Sequence, residues 1–589
     1  MPAEPSEALF EARPFEFGRV ESACGSKVGV AVAREDQSQA GRRVSVGAFV
    51  EISAGARRLV GVVTEVSSRH DRAEGAADPL AVANLDLMGE FLSDSAGTRR
   101  FERGVSSYPA IGDAASLVDR ESLQLIFSPE GPGAFSVGRL GDDDGVPVAL
   151  DIDNMLSKHF AVLGSTGVGK SSGVAVILRE VLKRRPNLRV FLLDVHNEYG
   201  CCFGDRAQIL NGETLRIPFW LFAFEELVDI LFGGRPAVDE ETDILAELIP
   251  MAKSLYLAHR SGAAGGVRKF DPRTTGFTVD TPVPYLMQDL VALIDERMGK
   301  LESRTTRMHF HRLLARIEAI RGDGRYAFMF ENANVGGDTM ADILARVFRL
   351  EPNGKPMTVM QVAGFPAEAT DALVCVLCRL AFDFGLWSDG ASPMAFVCEE
   401  AHRFASADRS VGFAPTRRAL LRTAKEGRKY GVYLGLVTQR PAELDPTIIS
   451  QCNTLFAMRL PNDRDQALLR SAVSDAAANL LSFLPSLGTR EVIGFGEGLP
   501  MPARLRFHEL PPELAPRSDA FFRLSGGAVD VANKAFLRTV IERWRGATNA
   551  ALRPSEDVEN VTPEPPPQSS GMAPLTTRME HIRAQLSRR

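Results

Sequence analysis

The stretch HFAVLGSTGVGKSSGVAVILREVL, residues 159–182, limits what this chain can fold into more than any other. It holds the spacing G-x-x-x-x-G-K-S from Gly164 to Ser171. HFAVLG reads as a short buried strand, and SSGVAVILREVLKR as an amphipathic helix that begins where the loop ends. Glycines 164, 167 and 169 let the backbone curl until its N–H groups face one point, and the helix N-terminus adds partial positive charge there. Such a loop cradles phosphate. Gly164, Ser165, Thr166, Gly167, Val168, Gly169, Lys170, Ser171 and Ser172 are the expected nucleotide contacts, with Lys170 reaching the β- and γ-phosphates and Ser171 ligating Mg²⁺. ATP and Mg²⁺ follow as the expected cofactors.

Three further apolar runs end in polar clusters, as parallel strands do where ligands collect at their carboxyl ends. LRVFLLDVHNEYG (188–200) places Asp194, His196 and Glu198 beyond such a run. The sequence leaves open whether they face the phosphates and the attacking water or are ordinary loop polarity. MAFVCEEAHRF (394–404) ends in two acids. Glu399 is placed to hold the Mg²⁺ shell through water, and Glu400 to act as the general base that orients water for attack. RTAKEGRKYGVYLGLVTQRPAEL (422–444) reads as a helix with basic last turns, a strand VYLGLVT, and then Gln439 and Arg440. A glutamine there can sense the γ-phosphate. CNTLFAMRL and REVIGFG add strands. The expected fold is α/β: a multi-stranded, mostly parallel sheet with helices on both faces.

Composition narrows the partners. A net charge of -7 over 589 residues argues against a bulk electrostatic grip on nucleic acid, though it leaves a local basic lining open. The first eighteen residues lack the basic and apolar regions of a secretory signal. The most apolar run, DALVCVLCRLAFDFGLW, is interrupted by Arg379 and Asp383. No membrane partner and a cytoplasmic location are expected. Cys375 and Cys378 form a lone C-x-x-C in an apolar helical run, which reads as core packing.

Taken in order, AVLGSTGVGKSS, LLDVHNEYG, IPFWLF, EEAHRF, KEGRKYGV and TQRPAEL resemble the HerA/FtsK superfamily, and its HerA-like branch most closely, over roughly residues 15–510. The resemblance implies a RecA-like P-loop ATPase core with an N-terminal small β-barrel, assembled as a homohexamer that moves double-stranded DNA through its pore. It implies an effector partner: a NurA-like nuclease, or a sirtuin-like or other nuclease effector in antiviral defence. It places ATP between subunits with an arginine supplied in trans, for which Arg428 is the first candidate and Arg422 the second. On the residues alone, both are equally helix-end cations beside a C-terminal dipole. The chain departs from the family in Glu399, where Asp is usual, and in Lys425, where a second arginine is common. A ring that organises an effector with little motor activity is the alternative.

Short β-rich runs between residues 15 and 66 suit a small barrel. SLQLIF and FSVGRLG read as further strands. The expected organisation is a leader (1–14), the barrel (15–147), the ATPase core in two parts (148–213 and 341–510) around a helical insertion (214–340), a C-terminal helical extension (511–550), and a Pro- and acid-rich disordered linker and tail (551–589). His309 and His311, two apart on a helix, do not share a face and make no metal pair.

Overall fold

The computed structural model describes residues 16–32, 44–55, 57–68, 81–93, 98–128, 131–260, 276–300, 304–331, 333, 337–473, 475–517 and 534–548. The expected leader and the linker and tail lie outside them.

The first sheet contains β1 (Glu16–Cys24), β2 (Lys27–Val32), β3 (Phe49–Ala54), β4 (Arg57–Ser68), β5 (Ala81–Ser93), β6 (Arg99–Arg103) and β7 (Ala114–Leu117). Its order is β2-β1-β7-β3-β4-β5-β6, and a further β2–β5 pairing closes six of the strands into a barrel. β6 is left as an appendix on β5. Strand β4 shows how the barrel is attached. Leu59 and Val63 fill the barrel interior, while Val60 and Val62 join the core of the neighbouring domain. Both faces of β4 are therefore covered, so an unbroken apolar run replaces alternation.

The second sheet has eleven strands in the order β12-β13-β11-β14-β15-β10-β16-β17-β18-β8-β9. These are β8 (Ala134–Leu140), β9 (Pro147–Asp151), β10 (His159–Leu163), β11 (Arg189–Asp194), β12 (Ala207–Leu210), β13 (Met357–Gln361), β14 (Met394–Glu399), β15 (Val432–Thr438), β16 (Cys452–Met458), β17 (Glu491–Gly496) and β18 (Ala503–Phe507). The pairings from β12 through to β16 are parallel, and the remaining ones antiparallel. Every residue of β10 and β14 is buried, as a parallel strand covered on both faces requires.

Two sequence expectations are corrected. SLQLIF is not a strand: Arg120–Phe127 is a helix whose N-cap Asp119 accepts the Ser122 N–H at 2.7 Å. The boundary at 147 falls inside the second sheet, because β8 and β9 belong to it. Gly138 of β8 pairs with Phe507 of β18 so tightly that a Cβ on it would sit 2.2 Å from the Arg506 carbonyl oxygen.

Between β12 and β13 the chain is mainly helical, with helices Phe224–Phe232, Asp239–Arg260, Met287–Gly299 and Arg304–Gly322. A bidentate pair ties this region to the core helix Ala367–Trp387: Arg379 Nε and Nη2 donate to the buried Glu226 carboxylate at 3.0 and 2.9 Å. Within the basic helix Arg304–Gly322, Arg316 is committed to structure, donating to the buried Glu241 and covering the Phe232 ring. No group of histidines, cysteines and acids among the described residues is arranged to hold a metal ion. No described helix is long and apolar enough to cross a membrane.

Candidate active site

The phosphate loop leaves β10 between β15 and β16. The Gly164 N–H donates to the Thr438 carbonyl at 3.2 Å, and the Ser165 N–H to the Arg459 carbonyl at 2.9 Å. Both anchors stand at the carboxyl ends of flanking strands. Gly167 and Gly169 have φ of 76° and 99°, in the region that excludes a Cβ at little cost only for glycine. Helix Lys170–Arg184 starts directly from the loop. Among the described residues the N–H groups of Thr166, Gly167, Val168 and Gly169 find no acceptor. A ring of unsatisfied donors at a helix N-terminus fits phosphate oxygens.

Lys170 Nζ folds back onto the Ser165 carbonyl at 2.9 Å. Burial lowers its pKa, and Glu400, Glu399 and Glu198 pull it back up. The three acids thus surround the lysine that the sequence placed on the phosphates. Ser171 Oγ donates to Glu198 Oε2 at 2.8 Å. Thr166 Oγ1 donates to Gln439 Oε1, so the strand-end glutamine already touches the loop. Ser172 follows in the first helical turn.

Glu399 and Glu400 are consecutive, and in an extended strand they would point to opposite faces. Glu400 instead adopts φ 50° and ψ 41°, the left-handed region, directly after β14. That turn lets both carboxylates act on Lys170. Its cost, on the order of 1–3 kcal/mol for a non-glycine residue, is typical of functional positions. Glu399 accepts the Val195 N–H at 2.9 Å, and burial, reinforced by Asp194, raises its pKa to about 8. Glu400 is buried, and its Oε2 has no hydrogen-bond partner among the described residues. His196 Nε2 lies 3.4 Å from Oε1.

Asp194 does something other than meet phosphate. Fully buried, it accepts the N–H groups of Glu198 and Tyr199, both at 3.0 Å, and so fixes the turn that presents His196 and Glu198. The two candidate arginines are not with the loop. They precede β15, whose six steps from Val432 to Thr438 span about 20 Å, so Arg428 lies beyond the end of the strand opposite the loop. Arg422 stacks over Phe382 at 4.1 Å and pairs with Asp383 at 3.6 Å. Arg428 is exposed, and its guanidinium makes no hydrogen bond or ion pair among the described residues.

Sequence reasoning missed two histidines. His402, two residues beyond Glu400, places Nδ1 3.3 Å from Glu400 Oε2 and 2.9 Å from Thr438 Oγ1. The motif EEAHRF displayed it, but only the turn at Glu400 brings it round. His159, the first residue of β10, bridges the Ala424 carbonyl and the Leu434 N–H.

The residues fit a nucleotide and its cation: free loop donors, a partly buried lysine facing three acids, a serine hydroxyl and an orphaned buried acid come together. Ser171 and Glu399 would hold Mg²⁺. This is the site of a P-loop ATPase, built on a RecA-like core. A family model described as "Helicase HerA, central domain" matches residues 135–381. A "DNA double-strand break repair helicase HerA" of Pyrococcus furiosus is 27% identical over 435 residues, covering 67% of this chain and 73% of that one. One of the same description from Saccharolobus solfataricus is 26% identical over 396 residues, covering 67% and 72%. "Protein P9" of Pseudoalteromonas phage PM2 is 35% identical over 185 residues, covering 29% of this chain and 74% of that one. The solved plasmid coupling protein TrwB in complex with ADP and Mg²⁺ is 15% identical, covering 69% and 94%, with a TM-score of 0.43. The chain is thus similar to HerA helicases over about two thirds of its length, with the match to their central domain lying in the ATPase core.

Proposed function

We propose that this ATPase is a translocase or helicase of double-stranded DNA that works as a homohexameric ring, with ATP hydrolysed between subunits. The observation that carries the reading is the separation of Arg428 from the loop of its own chain. An arginine with no partner among the described residues, before the amino end of β15, a strand about 20 Å long whose other end meets the phosphate loop, can reach a phosphate site if that site belongs to a neighbour. The loop N–H groups and Lys170 bind the phosphates. Glu400 takes a proton from the attacking water. Gln439, through Thr166, registers whether the γ-phosphate is present. Arg428 of one subunit offsets charge at the next subunit's transition state. Bound Mg²⁺ supplies charge neutralisation at the phosphate oxygens. HerA relatives named as double-strand break repair helicases support DNA as the cargo. An effector, a NurA-like or other nuclease or a sirtuin-like enzyme, would act on the DNA so moved, in end processing or antiphage defence.

Steady-state ATP hydrolysis with and without linear duplex DNA tests this. Stimulation by duplex is expected, and it should vanish in Lys170→Ala and Glu400→Gln. ATP binding with negligible turnover, indifferent to DNA, would refute the motor.

A further inference from the structure

The carboxylate of Glu400 is approached from a direction that the nucleotide machinery does not account for. Its Oε2 is buried and receives no hydrogen bond, yet His402 Nδ1 stands 3.3 Å away. The same nitrogen is 2.9 Å from Thr438 Oγ1. Thr438 Oγ1 also accepts the Arg440 N–H at 3.1 Å. Thr438 is the last residue of β15; its carbonyl anchors the phosphate loop, and the next residue is Gln439. His402 therefore sits between the acid and the strand end that touches the loop.

The proton on its ring can be assigned from the neighbours. A lone pair on Nδ1 would face a buried carboxylate oxygen across 3.3 Å, a repulsive arrangement in a dry site. A proton on Nδ1 has two acceptors in front of it, Thr438 Oγ1 and Glu400 Oε2. His402 is mostly buried, with one-tenth of its side chain exposed, so it has little room to turn away from either acceptor. The left-handed backbone at Glu400 makes such a tether useful: the side chain leaves a short, strained turn and needs an external contact to fix its aim.

We infer that His402 is a positioning residue for Glu400: its Nδ1–H, seated on Thr438 Oγ1, is offered to Oε2, so that the aim of the water-activating carboxylate is tied to the strand end that carries Gln439. This rests on the reading of Glu400 as the residue that activates water. Oε1 is left for the water, and His196 Nε2 lies 3.4 Å from it.

Three variants of the full chain separate this role from simple packing. His402→Leu removes the donor. His402→Asn returns an N–H near the Nδ1 position, whereas His402→Gln places one near Nε2. With ATP as substrate, His402→Leu should lower kcat about tenfold or more and leave KM nearly unchanged, the signature of a contact that acts on the chemical step. His402→Asn should recover most of that loss and His402→Gln should not. In a Glu400→Gln background, His402→Leu should change nothing further, because the group it aims is gone. Equal rates for Asn and Gln, an unchanged kcat in Leu, or a loss confined to KM would each overturn the inference. If His402→Leu does not fold, Thr438→Val and Thr438→Ser ask the same question from the other side: Val should lower kcat at constant KM and Ser should restore it, and a wild-type rate for Val overturns the inference. Full activity in Glu400→Gln alone would instead reject the underlying reading of Glu400.

Discussion

His159 gives the sharpest quantitative test of the core beneath the phosphate loop. It begins β10, is 1% exposed, accepts the Leu434 N–H on Nδ1 at 2.9 Å and donates from Nε2 to the Ala424 carbonyl at 2.8 Å. Both contacts suit the neutral ring. Burial therefore lowers its pKa from 6.5 to about 4, and the positive charge of Arg428 adds to the effect. A histidine whose folded pKa is depressed contributes stability that is intact above 6.5 and is lost as pH falls toward 4. One proton is taken up on unfolding across that window, at about 1.4 kcal/mol per pH unit, so moving from pH 7 to pH 4.5 removes about 2 to 2.5 kcal/mol. His159→Gln can keep the donor to Ala424 and cannot become charged, but it leaves the Leu434 N–H without its acceptor, a cost of about 1–3 kcal/mol at pH 7. Urea midpoints for both chains at both pH values decide the matter, because every other titrating group cancels in the difference. The deficit of the variant should shrink by about 2 to 2.5 kcal/mol at pH 4.5, to near zero or below. A deficit of the same size at both pH values would refute the claim that the core holds this ring neutral.

Two further outcomes follow from the geometry. Arg428→Ala should bind ATP and fail to hydrolyse it, and mixing it with Lys170→Ala should recover hydrolysis, since some mixed interfaces pair an intact loop with an intact arginine; no recovery would return Arg428 to a surface role. Arg379→Leu should cost about 3–5 kcal/mol in urea unfolding, because Glu226 stays buried without its partner, and Glu226→Leu added to it should recover much of that loss; additive losses in the double variant would contradict the pairing argument.

What the sequence displayed was governed by local rules. β10 and β14 are paired on both edges and covered on both faces, so their apolar runs had one reading, and the loop glycines were needed at specific backbone angles. What it hid depended on distant partners or on a single angle. SLQLIF is short and apolar enough for a strand, but it forms a helix that Asp119 caps through the Ser122 N–H and that buries Leu123, Ile126 and Phe127. β8 and β9 follow the barrel in the chain, but β8 pairs with β18, near the far end of the core, and β9 with β8. Asp194 ends a strand, so the sequence left open whether it faced phosphate or was ordinary loop polarity; in the structure its two oxygens accept backbone N–H groups four and five residues ahead. The positive φ of Glu400 leaves no mark in composition or periodicity, yet Glu399 and Glu400 both act on Lys170 and His402 reaches Glu400 from the turn it makes.

The two ends of β15 have consequences for one another. Its carboxyl end anchors the loop through the Thr438 carbonyl, meets His402 through the Thr438 hydroxyl, and leads into Gln439. Its amino end follows directly from the turn that holds Arg428. Between them the strand is hydrogen-bonded to β14 on one side and β10 on the other, and all but one of its residues are buried. A strand so enclosed has no soft joint, and interiors packed this way shift as units. In the proposed ring, contact of Gln439 with a subunit's own γ-phosphate and contact of Arg428 with the neighbour's would be made by opposite ends of one stiff element. Loss of the γ-phosphate at one site would then be felt as a displacement at the next, with no hinge needed between them. His159 closes the same circuit at the amino end, since it fastens β10, which leads into the loop, to both β15 and the helix that precedes Arg428. In that ring, His159 and the proposed trans arginine Arg428 would belong to one mechanical unit, and a change that loosens His159 should weaken communication between sites before it unfolds the core.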